Sequence, residues 1–204
     1  MIKRVSKGNL TTLDMEVVLI NAFNPRQNVI VPNVSWGIHD KLYHSLHECD
    51  LLVLSGSGYA TEVEIKVSKA DLLKDMEKRH GHLHGMIRRF YYAVPDTLRT
   101  VAEEVITERA GLLVVSTKDG YDYSRKGWDS YERHTCSYYH LDTARECKAN
   151  TKALKWTDEQ RNQLMRLGTM RIGGLKQKIL TLKSKIDEKA DRSDTDKGGV
   201  GEAK

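Results

Sequence analysis

The chain has 204 residues, 39% hydrophobic and 30% charged, which fits one globular domain with an appendage. No run approaches the roughly 20 apolar residues of a membrane span. The start, Met1-Ile2-Lys3-Arg4, lacks the apolar stretch of a secretory signal, so a cytoplasmic protein is expected. Three cysteines, Cys49, Cys136 and Cys147, without CxxC spacing argue against a disulfide scaffold or a thiolate zinc cage.

The net charge of +5 is unevenly spread: residues 1–149 hold 20 Lys+Arg against 20 Asp+Glu, 150–186 hold 9 against 2, and 187–204 hold 4 against 6. A neutral body with a basic arm suits contact with a polyanion, and solvated helix lysines explain the same count equally well.

In chain order, Leu10, Leu13, Val17 and Ile20 recur at helical spacing and predict a first helix with Glu16 at the edge of its apolar face. Asn24-Pro25 stops it. Asn28-Val-Ile-Val-Pro-Asn-Val34 reads as a short strand that Pro32 ends or confines to an edge. After a Trp36-Gly37 turn, Asp50-Leu-Leu-Val-Leu54 is apolar on both faces, as a central strand is. Ser55-Gly-Ser-Gly58 turns the chain into Tyr59-Ala-Thr-Glu-Val-Glu-Ile-Lys-Val67, where Val63, Ile65 and Val67 alternate with Glu62, Glu64 and Lys66. Ser68-Lys-Ala-Asp71 opens a helix with a Leu72, Leu73, Met76 stripe that frays near His80-Gly81.

Strands follow at 89–94, closed by Pro95, and at 111–116, with a helix marked by Leu98, Val101, Ala102 and Val105 between them. The order helix, three strands, helix, strand, helix, strand predicts an α/β fold with a mixed sheet. Residues 117–150 are polar and aromatic and carry no clear period. Two helices are expected near 157–167 and 170–189. In the second, Ile172, Leu175, Ile179, Leu182 and Ile186 form a heptad seam, although Gly173-Gly174 weakens an isolated coiled coil and favours docking on the body. The expected divisions are a domain over 1–150, a basic helical arm over 151–189 and a disordered tail over 190–204.

The chemistry concentrates in Asp50 and Glu64-Ile65-Lys66. Residues two apart on a strand face the same way, so Glu64 and Lys66 project together. A three-residue Gly56-Ser57-Gly58 loop pairs Ser55 with Tyr59 and sets Asp50 opposite Glu64, whereas a four-residue loop would turn Asp50 to the wrong face. Two carboxylates that close repel, and a hard divalent ion such as Mg²⁺ or Mn²⁺ resolves the repulsion with oxygens from Asp50, Glu64 and the Ile65 backbone carbonyl. Water in an open position then serves as nucleophile, with Lys66 orienting it or stabilising phosphoryl charge, an arrangement suited to phosphodiester hydrolysis.

Asp50 with Glu64-Ile65-Lys66, on that order of elements, resembles the PD-(D/E)XK nuclease superfamily. The runs His47-Glu-Cys-Asp-Leu-Leu-Val-Leu54, Glu62 to Asp75 and Tyr92-Ala-Val-Pro95 are similar to its MmcB-like branch, found in phages and bacteria. The resemblance covers about residues 10–116 and implies a restriction-endonuclease-like αβββαβ core. It also implies that Asp50 and Glu64 are metal ligands, that Lys66 is catalytic, and that Glu16 completes the site from the first helix. Cys49 stands where the pattern has proline. The function implied is a metal-dependent DNA nuclease in phage or bacterial DNA metabolism or repair. A nucleic-acid-binding protein that keeps the fold without cutting is the alternative.

Other residues carry weaker signals. Glu62 shares the Glu64 face and reads as an extra ligand or, slightly favoured, a solvated strand residue; Glu48 is similarly ambiguous. Asp71 reads as a helix cap. His80-Gly-His-Leu-His84 invites a zinc hypothesis, though a solvated loop fits better. Lys69, Lys74, Lys78, Arg79, Arg88 and Arg89 surround the helix after the catalytic strand, where they can track a phosphate backbone without specifying sequence. Tyr121, Tyr123, Trp128, Tyr131, Tyr138 and Tyr139, interleaved with Arg125, Lys126 and Arg133, suit either stacking on unpaired bases or, preferred, packing in the body. The 172–186 helix is the candidate for homo-oligomer formation.

Overall fold

The computed structural model describes residues 2–3, 8–34, 47–77, 84–126 and 128–197, with 2–3 and 187–197 described by their backbone alone. In chain order the elements are β1 (Ile2–Lys3), α1 (Thr12–Ala22), β2 (Val29–Val34), β3 (Cys49–Leu54), β4 (Ala60–Ile65) and α2 (Lys69–Met76). Then come β5 (Ile87–Pro95), a 3₁₀ turn (Asp96–Leu98), α3 (Arg99–Val105), β6 (Gly111–Arg125), β7 (Tyr131–Arg145) and α4 (Asp158–Lys197). Among the described residues the strands form one sheet in the order β1-β7-β6-β5-β4-β3-β2. β5 runs parallel to both β4 and β6, and every other neighbouring pair is antiparallel. From α1 to β6 this is the expected order of elements, a mixed α/β sheet flanked by helices. The Trp36-Gly37 turn and the helix end near His80-Gly81 lie outside the described residues.

Proline and glycine place the strands that matter. Pro32 has no N–H for a ladder, and β2 accordingly lies at the sheet edge, with Pro32 opposite Leu51 on its one paired side. At the β3–β4 turn Ser55 N–H donates to the Tyr59 carbonyl and Gly58 N–H to the Ser55 carbonyl, both at 3.0 Å. Gly58 takes φ +86°, which a side chain would strain. The ladder runs Leu54↔Ala60, Val53↔Thr61, Leu52↔Glu62 and Leu51↔Val63, the register expected of a three-residue loop. One step further along, Asp50 falls opposite Glu64.

The period-2 alternation sends side chains to two faces. Leu51, Val53, Val63, Ile65, Ala93, Leu113 and Val115 pack under α1. The helix presents Met15, Val18 and Leu19 to them, not the expected stripe: Leu13 and Val17 are exposed, and Leu10 and Ile20 only fringe the cluster. Apolar residues surround this helix on most sides, so spacing alone admits either face. Its rotation is set by Asp14, which accepts from Thr11 in a reciprocal cap and from the Tyr139 hydroxyl at 2.7 Å.

The opposite face holds two apolar clusters. One joins Leu52, Leu54 and Ala60 to Val31, Trp156, Leu164 and Leu167. The other joins Tyr92, Val94, Leu112 and Val114 to Leu72 and Ala102 from α2 and α3. Leu73, expected in the α2 stripe, is exposed, and Asp75 is buried in its stead.

The C-terminal half departs further from expectation. Residues 117–139 form the outer part of a long β6–β7 ribbon; β6 leaves β5 at the Val115↔Pro95 pair and continues against β7 alone. The two expected C-terminal helices are one, continuous to Lys197, so the segment 190–197 anticipated as tail is helical. The segment just before it and its N-terminal part belong to the body: Trp156 Nε1 donates to the Met86 carbonyl at 2.9 Å, Arg161 to the Ser55 carbonyl at 3.2 Å, and Arg171 to the Asn33 carbonyl. Beyond Arg171 the heptad seam does not dock on the body as anticipated, since Ile172, Leu175, Ile179, Leu182 and Ile186 are all exposed.

Candidate active site

Between the two apolar clusters, at the carboxyl end of β4, lies a polar cluster. Lys66 Nζ sits 2.8 Å from Glu64 Oε2, 3.5 Å from Asp75 Oδ1 and 3.9 Å from Asp50 Oδ2. Each element has a local reason to deliver its residue. Strand alternation sends Glu64 and Lys66 the same way, and the glycine turn fixes the register of Asp50. The Ser68 cap, whose Oγ accepts from the Asp71 N–H at 3.2 Å, starts α2 so that Leu72 and Asp75, three apart, share its inward face. Asp50 Oδ2 also accepts from the Ile65 N–H at 2.8 Å, clamping the two strands beyond their last backbone pair. A strand residue's N–H and C=O leave the same edge, so the Ile65 carbonyl is turned toward the Asp50 side.

Burial and charge act on Lys66 in opposite senses. Desolvation disfavours the ammonium, but Glu64, by charge and hydrogen bond, and then Asp75 and Asp50 outweigh it and hold its pKa above the usual lysine value. Lys66 is therefore a permanent cation at neutral pH. Asp50 is a third exposed, so the cluster opens to solvent on that side, whereas Glu64 and Asp75 are sealed.

Glu16 stands at the margin. Burial raises its pKa, the hydrogen bond that Asn33 donates at 3.2 Å lowers it, and the charge of Asp50 raises it again. The Glu16 and Asp50 carboxylates thus feel each other across the site.

Several supporting residues escaped the sequence reading. Asp75 Oδ2 accepts from the Tyr92 hydroxyl at 2.8 Å, and burial together with that bond raises the Tyr92 pKa, keeping it a donor. Tyr92 lies opposite Glu64 on the parallel neighbour β5. Glu62 is no solvated strand residue: it is fully buried, with Oε1 2.7 Å from His47 Nε2. Cys49, in the place of the pattern's proline, is buried in the apolar cluster under α4, and burial keeps its thiol protonated.

The basic candidates are dispersed. Lys69 is exposed on the first turn of α2, just beyond the cluster. Arg88 and Arg89 line a polar cleft with Ser55, Ser57, Tyr59 and Thr61 near the turn end of β4, with the Arg88 guanidinium 4.0 Å from the Tyr59 ring centre. That is roughly 10–13 Å along the strand from Glu64, so these arginines are not part of the acidic cluster. Of the histidine group, His84 is described and its Nδ1 accepts from the Met86 N–H at 3.2 Å; His80 and His82 lie outside the described residues, as do Lys78 and Arg79.

Among the described residues no three acidic, histidine or cysteine side chains chelate a common point, because Lys66 occupies the centre of the carboxylates. The donor set nonetheless suits a hard cation. Three carboxylates face one ammonium, leaving a surplus of two negative charges. Asp50 and the Ile65 carbonyl lie on the open side, where a small divalent ion that keeps most of its water can be held by two carboxylates. Zinc or copper would call for nitrogen or sulfur donors, which this side lacks among the described residues.

No family model and no curated protein matches the chain. Among solved structures, a protein of unknown function from Silicibacter pomeroyi is similar at 16% identity, over 79% of this chain and 85% of that one, with a TM-score of 0.46. Among the described residues no helix is long and apolar enough to cross a membrane.

Proposed function

We propose that the protein is a metal-dependent nuclease of the PD-(D/E)XK, restriction-endonuclease-like kind, hydrolysing phosphodiester bonds of DNA. One observation carries the reading: Asp50, Glu64 and Asp75, from two strands and a helix, surround Lys66 in a pocket that opens at Asp50. The order α1, β2–β4, α2, β5, α3, β6 supports it.

Asp50, Glu64 and the Ile65 carbonyl would hold Mg²⁺ or Mn²⁺, with Glu16 at the margin. Bound there, the metal supplies Lewis-acid polarisation of a phosphoryl oxygen and a lowered pKa for attacking water. Lys66 presents a fixed positive charge to the phosphoryl group and to the attacking oxygen. Asp75 and Tyr92 act one layer back, holding Lys66 and Glu64 so that the ammonium neither swings out nor loses its charge. The His47–Glu62 pair fills the floor beside them.

The test uses plasmid, single-stranded and branched DNA with Mg²⁺ or Mn²⁺, comparing the unmutated protein with Asp50→Ala and Lys66→Ala. Cleavage that needs metal and falls at least about a hundredfold in both variants is expected. Binding without any cleavage by the unmutated protein favours the non-catalytic alternative.

A further inference from the structure

The outer half of the β6–β7 ribbon has two unlike faces. The register pairs Tyr121 with Thr135, Tyr123 with Arg133 and Arg125 with Tyr131. Side chains directly across an antiparallel pair share a face, so these six lie together, while Asp122, Ser124, Glu132 and His134 lie on the reverse. The first face carries three tyrosines and two arginines. Among its described paired residues from Tyr121 outward it has no carboxylate, Asp129 lying in the turn beyond the last pair; Asp119, one step inward, accepts from Ser137 at 2.9 Å.

The rings are open to solvent: Tyr121 is 55% exposed, Tyr123 61%, Tyr131 66%, and Trp128 beyond the last pair 91%. Packing in the body, the use preferred on sequence grounds, is fulfilled by Tyr139, while Tyr138 is half-buried against Gly120. A solvated ribbon has no need of four such rings. Cross-strand pairing accounts for some of them, since the Arg133 guanidinium lies 4.4 Å from the Tyr121 ring centre and Arg125 donates to the Trp128 carbonyl at 3.0 Å. The Arg133 guanidinium thus covers one face of Tyr121, leaving the other face of that ring and the exposed Tyr123 and Tyr131 rings beside fixed positive charges on one surface.

We infer that this face binds an unpaired nucleic-acid strand, with bases stacking on Tyr121, Tyr123 and Tyr131 and phosphates meeting Arg125 and Arg133. Paired bases keep their π faces inside the duplex, whereas unpaired ones offer them to aromatic side chains. Tyr121 and Tyr123 stand two residues apart, roughly 7 Å, which admits one base per ring. The reverse face carries Asp122 and Glu132, the latter 3.8 Å from Lys126, and no tyrosine between 122 and 134, so the rings mark a single productive side. The inference rests on the nuclease reading only in naming the strand that would be presented to the acidic cluster, and binding is measured with chelator present so that the two fail separately.

The full chain is titrated into fluorescein-labelled 20-mers of oligo(dU) and oligo(rU) and a 20-base-pair duplex, in EDTA, with anisotropy as readout. Tighter binding to a single strand than to the duplex is expected, and the tighter of the two single strands identifies the sugar. Tyr123→Ala weakens it roughly fivefold to a hundredfold, and Tyr123→Phe, which keeps the ring, restores it. Arg133→Gln makes the dependence of log Kd on log salt shallower by about 0.7. Residues 121–135 lie outside all three apolar clusters, so the thermal midpoint of each variant stays with the parent and reports folding directly. Duplex binding as tight as single-strand binding, no binding at all, or unchanged affinity in folded Tyr123→Ala would overturn the inference.

Discussion

Replacing Lys66 with methionine keeps most of the stem's packing and removes the ammonium, which isolates the electrostatics of the cluster. In the native protein this cation lies 2.8 Å from Glu64, 3.5 Å from Asp75 and 3.9 Å from Asp50, the first two being almost wholly buried. Stranding buried partners in this way costs about 3–5 kcal/mol. With a urea dependence of roughly 2 kcal/mol per molar, the unfolding midpoint of Lys66→Met falls by about 2 M at pH 8. The carboxylates left behind repel one another, and protonating one relieves the repulsion, so the deficit shrinks as the pH is lowered toward 5. Millimolar Mn²⁺ recovers part of it by replacing the missing positive charge. In the unmutated protein the sign is the opposite. The raised Lys66 pKa means its contribution is complete below the ordinary lysine value of 10.5 and is lost as the pH climbs through the higher folded value. Urea titrations followed by circular dichroism at both pH values, with and without Mn²⁺, measure this. A deficit under about 1 kcal/mol, typical of a surface ion pair, or one equal at the two pH values, would refute the cluster as a coupled electrostatic unit.

Two further variants probe the margin of the site and its support. Glu16→Gln removes a carboxylate whose pKa burial and Asp50 raise above 4.5, so the variant is more stable than the parent at pH 7, and the gain closes as the pH falls below 4.5 in parallel denaturation curves. Leu164→Ala empties a fully buried position where α4 meets β2 and costs about 2–5 kcal/mol in the same assay, whereas a helix standing apart from the domain would show almost none.

Local chemistry made the β3–β4 hairpin legible in advance, because a loop flanked by Ser55 and Tyr59 with glycine at its αL position leaves one register that puts Asp50 and Glu64 on one face. Asp75 is different in kind. Its inclusion depends on how α2 is rotated above β4 and β5, and Leu72 and Leu73 argue equally for two rotations until Tyr92 offers a hydroxyl to one of them. Glu62 alternates like a solvent-facing residue, and its partner His47, fifteen positions earlier, is out of reach of that pattern. In α1 the same ambiguity was resolved by Asp14 and Tyr139, which are 125 residues apart. The ribbon was not read from the sequence: Tyr121, Tyr123 and Arg125 do alternate with Asp122 and Ser124, but side chains polar on both faces hide the period of two.

The projecting stretch of α4 carries a consequence for self-association. Lys176 and Lys183 border its apolar seam on one side, Lys178 and Lys185 on the other, and residues 160–186 contain no acidic side chain. Two copies laid seam against seam, whether parallel or antiparallel, therefore oppose lysine to lysine along both margins. Burying isoleucine and leucine draws the copies together while the bordering ammonium groups push them apart. Added salt weakens only the second force, so homotypic pairing through this helix strengthens with ionic strength, whereas attraction of the same helix to a polyanion fades.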